Sequence, residues 1–408
     1  MRLIKYSGLH YLARPVDVAS PLLLNLVLFL YFIVMPFCLV DKRQEYYAAL
    51  FVAVVGFVSI NIGLLIKVGR NECSVQMPDF SRGRLAEVIV ALFVVYDLLR
   101  IFRFLVDGVS QAAYYEDYGK SQGWGLYLLL VWVVLGFCKY YFYSIVLANG
   151  RWVFWSIFAI SLLAAIPGRV RFELVGVVIF FTIYGALNGY LKLRLYHLVV
   201  GVVVAPVLML LLLIKRDIVG DVGVLQIWHL VFDMLVSLWG HSDLVSALLV
   251  SMEAPATFEI FNRVVQDNFV LPESGVIRVF FNFIPREIWP DKPLPMQIEL
   301  ARVYNPSGFA SGGGVFANIY GDAYANAGFV GVIFLPFMVG LFLNIAYKKA
   351  ISKSSMAGVK IGFYSVLVVY FANFYRGYFS DVTWQIILLY CFFWSLNKIN
   401  HKLNRIKE

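Results

Sequence analysis

The sequence predicts an all-α membrane protein that crosses the bilayer about ten times, because it is strongly apolar and its apolar runs have bilayer length. Of its 408 residues, 61% are hydrophobic and only 14% are charged, whereas about a quarter of the residues in a soluble domain are charged. Runs of about 20 apolar residues, the length that crosses a bilayer as a helix, recur along the chain. The composition therefore excludes soluble, disordered and fibrous proteins.

The apolar runs divide the chain into three parts. We expect spans one to seven within residues 1–214, a loop domain at 215–327, and three further spans with a basic tail at 328–408. The predicted spans are 21–40, 46–66, 86–106, 124–147, 152–167, 173–190, 195–214, 328–347, 357–375 and 382–397. Amphipathic patterns at 225–239 and 256–267 predict loop-domain helices that lie in the membrane interface or pack on the spans.

Basic residues predict the orientation of these spans. With a cytoplasmic N-terminus, Lys and Arg concentrate in the short cytoplasmic loops and the C-terminal tail, as the positive-inside rule requires. Both termini are then cytoplasmic and the loop domain lies on the outer face. The positions of the charges are therefore more informative than the net charge of +9, which by itself does not indicate nucleic-acid binding in such a protein.

Charged side chains near the membrane are costly, by about 2.5–3.5 kcal/mol on insertion scales, so each is a functional candidate. In the third span, Asp97 and Arg100 are spaced to pair with each other at i,i+3. The turn before the sixth span carries Arg169, Arg171 and Glu173. Two guanidinium groups suit a diphosphate, which they bind through bidentate hydrogen bonds. The alternative is that they only hold the turn at the lipid headgroups.

A proline-rich stretch at 280–295 is the second polar feature. Prolines fix φ and stiffen the backbone, so little ordering entropy is lost when such a loop binds a ligand. Arg286 and Lys292 supply charge there, and Trp289 supplies a flat face. The alternative is a rigid turn that closes the loop domain.

The third feature is the glycine-rich stretch and helix start at 312–328. Two sets of side chains recur every four residues there: Phe316, Tyr320 and Tyr324, and on a neighbouring face Asn318, Asp322 and Asn326. Aromatic faces beside amide and carboxylate groups are suited to sugars. Asp322 would accept a proton from a hydroxyl nucleophile. The alternative is a polar helix face that is satisfied by neighbouring spans.

Residues 284–293 (IPREIWPDKP) and 321–328 (GDAYANAG) resemble the Wzy-type O-antigen polymerases, which join oligosaccharide repeat units in Gram-negative bacteria. The Pro167-Gly168-Arg169 turn is similar to a small-residue–arginine element of that family. The architecture is similar over nearly the whole chain, and the specific residues fall within 165–175 and 280–328. Val170 and Ala327 depart from the family pattern. The resemblance implies a fold like that of the GT-C glycosyltransferases.

The resemblance also implies a reaction. A polysaccharide carried on undecaprenyl diphosphate is transferred to the non-reducing end of a new lipid-linked repeat unit, at the periplasmic face of the bacterial inner membrane. The implied partners are these lipid-linked saccharides, the lipid bilayer and a chain-length regulator protein. The donor is already activated, so we expect no cofactor. We also expect no metal, because guanidinium groups stabilise the departing diphosphate.

The candidate site residues follow from this assignment. Asp322 is the first candidate for the general base and Glu173 the second, and Arg286 acts on the leaving diphosphate. The expected substrate-binding residues are Arg169, Arg171, Arg216, Arg286, Lys292, Arg302, Arg376, Trp289, Tyr320 and Tyr324.

Two alternative functions are an O-antigen ligase and a transporter of lipid-linked oligosaccharides. A ligase uses the same donors but transfers the polymer to lipid A-core, and resemblance to ligases favours a histidine base in the loop domain, such as His241. A transporter is expected to have polar residues along its spans and two halves of similar hydropathy. The sequence has neither of these transporter features.

Overall fold

The computed structural model describes residues 19–40, 42–67, 84–107, 136, 138–147, 149–165, 171–192, 229, 233, 253–281, 284, 288–310, 313–351, 357–377, 379–388 and 391. Within these ranges the chain forms helices and connecting segments and no β-strand. The first six helices are α1 (Pro21–Leu39, with a π-helical turn at Leu30–Val34), α2 (Tyr47–Leu65), α3 (Arg84–Asp107), α4 (138–147), α5 (Arg151–Ala165) and α6 (Arg171–Leu187). The others are α7 (Glu253–Gln266), α8 (Val276–Phe281), α9 (Met296–Tyr304), α10 (Pro306–Ala310), α11 (Asn318–Ala350), α12 (Ala357–Arg376) and α13 (379–388).

Three of the described helices are long and apolar enough to cross a membrane: Pro21–Leu39, Arg43–Leu65 and Asn318–Ala350. The second includes a 3₁₀ turn, Arg43–Tyr46, that leads into α2. Arg151–Ala165 and Glu173–Leu187 are apolar but shorter. The predicted seventh span, 195–214, lies outside the described residues.

One group of helices packs around α11, which contacts α1, α2, α7 and α12. Gly63 of α2 and Gly340 of α11 face each other so closely that a Cβ on either would collide with the backbone of the other helix. Small residues allow this approach, which gives van der Waals packing between apolar helices that lack a hydrophobic driving force in lipid.

A chain of polar side chains, three of them buried and the fourth half-buried, joins four helices of this group. The hydroxyls of Tyr320 in α11 and Tyr375 in α12 are 2.9 Å apart. Tyr375 donates to Oδ1 of Asn25 in α1, and Nδ2 of Asn25 donates to Oδ1 of Asn61 in α2 at 3.2 Å. Buried polar groups require partners, so this chain fixes the relative rotation of the helices.

The amphipathic pattern predicted at 256–267 corresponds to α7, and it packs on the other helices. Its apolar residues Phe258, Phe261 and Val264 are buried, and the helix contacts α2 and α11. Tyr46, just before α2, stacks on Phe258 and donates its hydroxyl proton to Glu259. In the other predicted amphipathic segment, 225–239, only His229 and Asp233 are described, and both are helical and exposed.

A second group comprises α3 to α6, and α6 also contacts α12. Two ion pairs join its helices, and they correct the expectation that Asp97 pairs with Arg100. Nζ of Lys139 lies 3.1 Å from Oδ1 of Asp97, while Tyr143 donates to Oδ2 of Asp97 at 2.9 Å. Arg100 makes a bidentate pair with Glu173 instead. Carboxylates and cations on neighbouring helices thus outcompete the partner within one helix.

We expect Lys139→Met to destabilise the protein by about 3–5 kcal/mol, because it leaves the carboxylate of Asp97 buried without its cation. The double variant Lys139→Met, Asp97→Asn is expected to recover most of this lost stability. It has no buried charge at this site, and the amide oxygen still accepts the proton of Tyr143. Unfolding in a denaturant series measures both effects. The exposed Lys42–Glu45 pair provides the control, because Lys42→Met costs less than about 1 kcal/mol. A single Lys139→Met variant as stable as the control would contradict this account.

Candidate functional site

The centre of the candidate site is the start of α11, residues 318–326, which a kink separates from the rest of the helix. Asn318 caps this segment, because its Oδ1 accepts from the backbone N–H groups of Tyr320 and Gly321 at 3.0 and 3.2 Å. The kink lies at Ala327 and Gly328, where Gly328 has φ +59° and ψ −146°. Such a positive φ favours glycine. A polar, buried segment therefore precedes the apolar part of α11.

Asp322 is buried in this segment and is held by two neutral donors. Its Oδ2 accepts from the backbone N–H of Phe379 at 2.8 Å, and its Oδ1 accepts from Nδ2 of Asn326 at 3.1 Å. A carboxylate has about four lone-pair positions, so these two bonds leave acceptor capacity for a hydroxyl proton. The start of α13 covers the carboxylate in this conformation.

Asn326 joins this segment to the chain that leads into α8. Its Oδ1 accepts from the backbone N–H of Val276, and its side chain fills the space where a Cβ of Gly275 would lie. The backbone N–H of Leu271 also donates to the carbonyl of Ala325 at 2.7 Å. These contacts hold residues 271–276 against the start of α11.

Two buried cations fix the described part of the proline-rich stretch. Nη1 of Arg278 in α8 donates to the carbonyl of Pro293 at 2.6 Å, and Nζ of Lys292 donates to the carbonyl of Ile284 at 2.9 Å. The indole of Trp289 packs edge-on against Phe281, with 5.5 Å between ring centroids. Lys292 thus holds the stretch from its buried side, and the partly buried Trp289 packs against α8.

The proline-rich stretch also connects to Asp322 through α9 and α13. Nε2 of Gln297, at the start of α9, donates to Oδ2 of Asp381 in α13 at 2.8 Å. The same helix, α13, supplies the N–H of Phe379 that binds Asp322. The two segments that carry the family resemblance are therefore linked indirectly, through α9 and α13.

Arg376, at the end of α12, lies beside the glycine-rich stretch. It pairs with Glu253 at the start of α7, with a 2.7 Å hydrogen bond from Nη2, and its guanidinium carbon lies 4.6 Å from the ring centroid of Phe316. The backbone N–H of Val315 donates to the carbonyl of Gln297 at 3.0 Å. Arg376 therefore braces the stretch that enters α11.

The remaining predicted residues have varied surroundings. Tyr320 is fully buried and bonded to Tyr375, so its ring presents no face to a sugar in this conformation. Tyr324 is partly buried and donates to Oδ1 of Asn268 at 2.7 Å. Arg302 is exposed on α9 and pairs with Glu299 at 2.7 Å.

Glu173 lies in the other helix group, where Arg100 occupies both of its oxygens. Arg169, Arg216 and Arg286 lie outside the described residues. Arg171 begins α6, but its side chain also lies outside the described part.

The structure brings Asp322, Lys292 and Arg376 into one connected region and adds Glu253 and Asp381, which sequence analysis missed. Both acids occur at the starts of helices, where acidic residues favourably oppose the helix dipole. An acid at such a position indicates where a helix begins, but it does not indicate which cation or amide the acid binds. Across the described ranges, no three or more side chains of His, Cys, Asp or Glu come together as metal ligands.

Residues 273–404 match the family described as a domain of unknown function, DUF8712. This match covers less than half of the chain and includes α8 to α13, which build most of the candidate site. No curated protein and no solved structure matches the chain.

Proposed function

We propose that this chain is a Wzy-type polymerase of lipid-linked oligosaccharide repeat units in a bacterial inner membrane. In this proposal it crosses the membrane about ten times in a GT-C-like arrangement. Both termini are cytoplasmic, and residues 215–327 form the periplasmic loop domain. The active site lies where this domain meets the eighth span.

The observation that carries the proposal is that the two segments that resemble the polymerases are linked through α8, α9 and α13. Lys292 and Arg278 stiffen the proline-rich stretch through backbone carbonyls of that stretch. Asn326 attaches the start of α11 to residues 275 and 276. Asp322 lies between these contacts and the start of α13. Such bracing supports a preorganised site, because catalytic groups must be held in place by their surroundings.

In the proposed reaction, a hydroxyl of the acceptor repeat unit attacks the anomeric carbon of the donor polysaccharide. The carbon–oxygen bond to the diphosphate breaks as the new glycosidic bond forms. Asp322 takes the hydroxyl proton, and undecaprenyl diphosphate leaves with the bonding electron pair. Arg169, Arg171 and Arg286 stabilise the charge on the leaving group, with support from Arg216. Lys292 acts indirectly, by holding the proline-rich stretch that carries Arg286.

Access to Asp322 sets a further requirement. Its carboxylate is buried under the start of α13, so the acceptor hydroxyl reaches it only when that cover moves. In the proposal, binding of the lipid-linked substrate is coupled to this movement, as it is in enzymes that close or open around their substrates.

Deletion of the gene in the native strain tests the function. Loss of a polymerase is expected to leave lipopolysaccharide with one repeat unit on the core, and Arg286→Ala is expected to give the same pattern. Loss of a ligase would leave the core without any repeat unit while lipid-linked polymer accumulates. Loss of a transporter would leave unpolymerised units on the cytoplasmic side. A normal ladder of chain lengths in the deletion strain would refute the proposal.

A further inference from the structure

In α8 and the described part of the stretch that follows it, two cations are buried and three large apolar side chains are exposed. Arg278 and Lys292 are 4% and 5% exposed, whereas Phe280 and Ile288 are 69% and 75% exposed. Ile277, on the preceding turn of α8, is also exposed. A surface in water has the opposite arrangement, with charges outside and large apolar groups covered.

This apolar surface belongs to a segment that is fixed beside the apolar part of α11. Val276 is bonded to Asn326, and a side chain of Val270 lies next to Gly328 at the kink. Immediately after the kink, Phe329 and Val330 are exposed, followed by Ile333 and Phe334 one turn later. The helix α11 is long and apolar enough to cross a membrane. Its exposed apolar surface therefore begins at the level where residues 270–276 attach.

We propose that Ile277, Phe280 and Ile288 insert into the hydrocarbon of the bilayer at the level where the apolar part of α11 begins. The occupant of this surface is lipid, because the exposed side chains are apolar and belong to a segment that is attached where the exposed apolar surface of α11 begins. Amphipathic elements bind in this way, with the apolar face at the boundary between headgroups and acyl chains. The inference concerns only how the segment sits in the membrane and does not depend on the proposed polymerase activity.

The same segment contains positions that mark its water-facing side. Glu273, before α8, and Asp291, in the proline-rich stretch, are both exposed. A carboxylate in hydrocarbon is strongly disfavoured, so these side chains lie in water or among the headgroups. They provide matched controls at nearly the same positions in the sequence.

Spin labelling of the full chain in phosphatidylethanolamine–phosphatidylglycerol vesicles tests the proposal. Single cysteines at 280 and 288, and at 273 and 291 as controls, are placed in a background that lacks the four native cysteines. Labels at 280 and 288 are expected to collide several-fold more often with oxygen than with a water-soluble nickel chelate, and the control labels to show the reverse. Nickel access at 280 and 288 equal to that at 273 overturns the proposal. Exclusion of both reagents also overturns it, because protein and not lipid then covers the surface.

A second measurement uses the unaltered chain, so it does not depend on the folding of a variant. Vesicles that contain a phospholipid with a photoactivated diazirine on its acyl chain are illuminated, and the labelled peptides are mapped. Adducts are expected at Ile277, Phe280 and Ile288 and on residues 329–334. Adducts on 329–334 without any at these three positions would contradict the proposal and leave the assignment of α11 intact.

Discussion

Asp322→Asn is expected to reduce chain extension by about 10²–10⁴-fold, the usual contribution of a general base. The substitution keeps the size of the side chain and removes its ability to take a proton. Its carbonyl oxygen can still accept from the N–H of Phe379, and Asn326 keeps its bond to the backbone carbonyl of residue 322. We therefore expect a folded protein that adds repeat units at this much lower rate.

The stability of this variant separates catalysis from anchoring. One hydrogen bond, from Asn326 to the carboxylate, is lost, at a cost of about 0.5–1.5 kcal/mol. Chain length on gels of lipopolysaccharide and the denaturation midpoint are measured for the same variant. Glu273→Gln serves as the control, because it is the same kind of change at an exposed position. A folded Asp322→Asn protein that still makes long chains would exclude Asp322 as the base.

Arg376→Leu is expected to lose chain extension together with about 1.5–3 kcal/mol of stability, the usual contribution of hydrogen bonds to a charged group. The change leaves Glu253 without its cation and removes the guanidinium from the ring of Phe316. The stretch that enters α11 then loses its brace. Arg376→Lys is expected to retain only part of the function. An ammonium cannot make the bidentate pair with Glu253 and stack on Phe316 at the same time.

The double variant Arg376→Leu, Glu253→Leu distinguishes a brace from a ligand for diphosphate. If Arg376 acts by bracing, removal of both charges recovers stability and much of the chain extension. Lys42→Leu is the control, because Lys42 belongs to an exposed pair with Glu45 and such pairs contribute less than about 1 kcal/mol. A double variant that is stable but inactive would assign Arg376 to the substrate, as the sequence resemblance implies.

The helices of this chain are more predictable from the sequence than its contacts. The apolar runs at 21–40 and 46–66 predict α1 and α2 within a few residues, because length and hydropathy are local properties. The pattern at 256–267 likewise predicts α7, since Phe258 and Phe261 repeat at helical spacing. The kink at Gly328 was not predicted, because it depends on how the start of α11 is held by residues 271–276 and 379.

The partners of the polar residues could not be predicted because they come from distant parts of the chain. The four-residue spacing of Asn318, Asp322 and Asn326 places them on one face, but their bonds to residues 276 and 379 depend on tertiary packing. Arg100 shares a helix face with Asp97, yet Glu173 binds it. Local spacing identifies the charged groups, and only the packed helices decide which of them pair.

Purified protein reconstituted with lipid-linked repeat units alone gives the most direct test of the polymerase proposal. We predict that it converts single units into long chains on undecaprenyl diphosphate, without nucleotide, added metal or lipid A-core acceptor. The proposal would be contradicted if single units remain unextended while the same protein joins preformed polymer to added core. It would also be contradicted if the protein only moves units across the vesicle membrane.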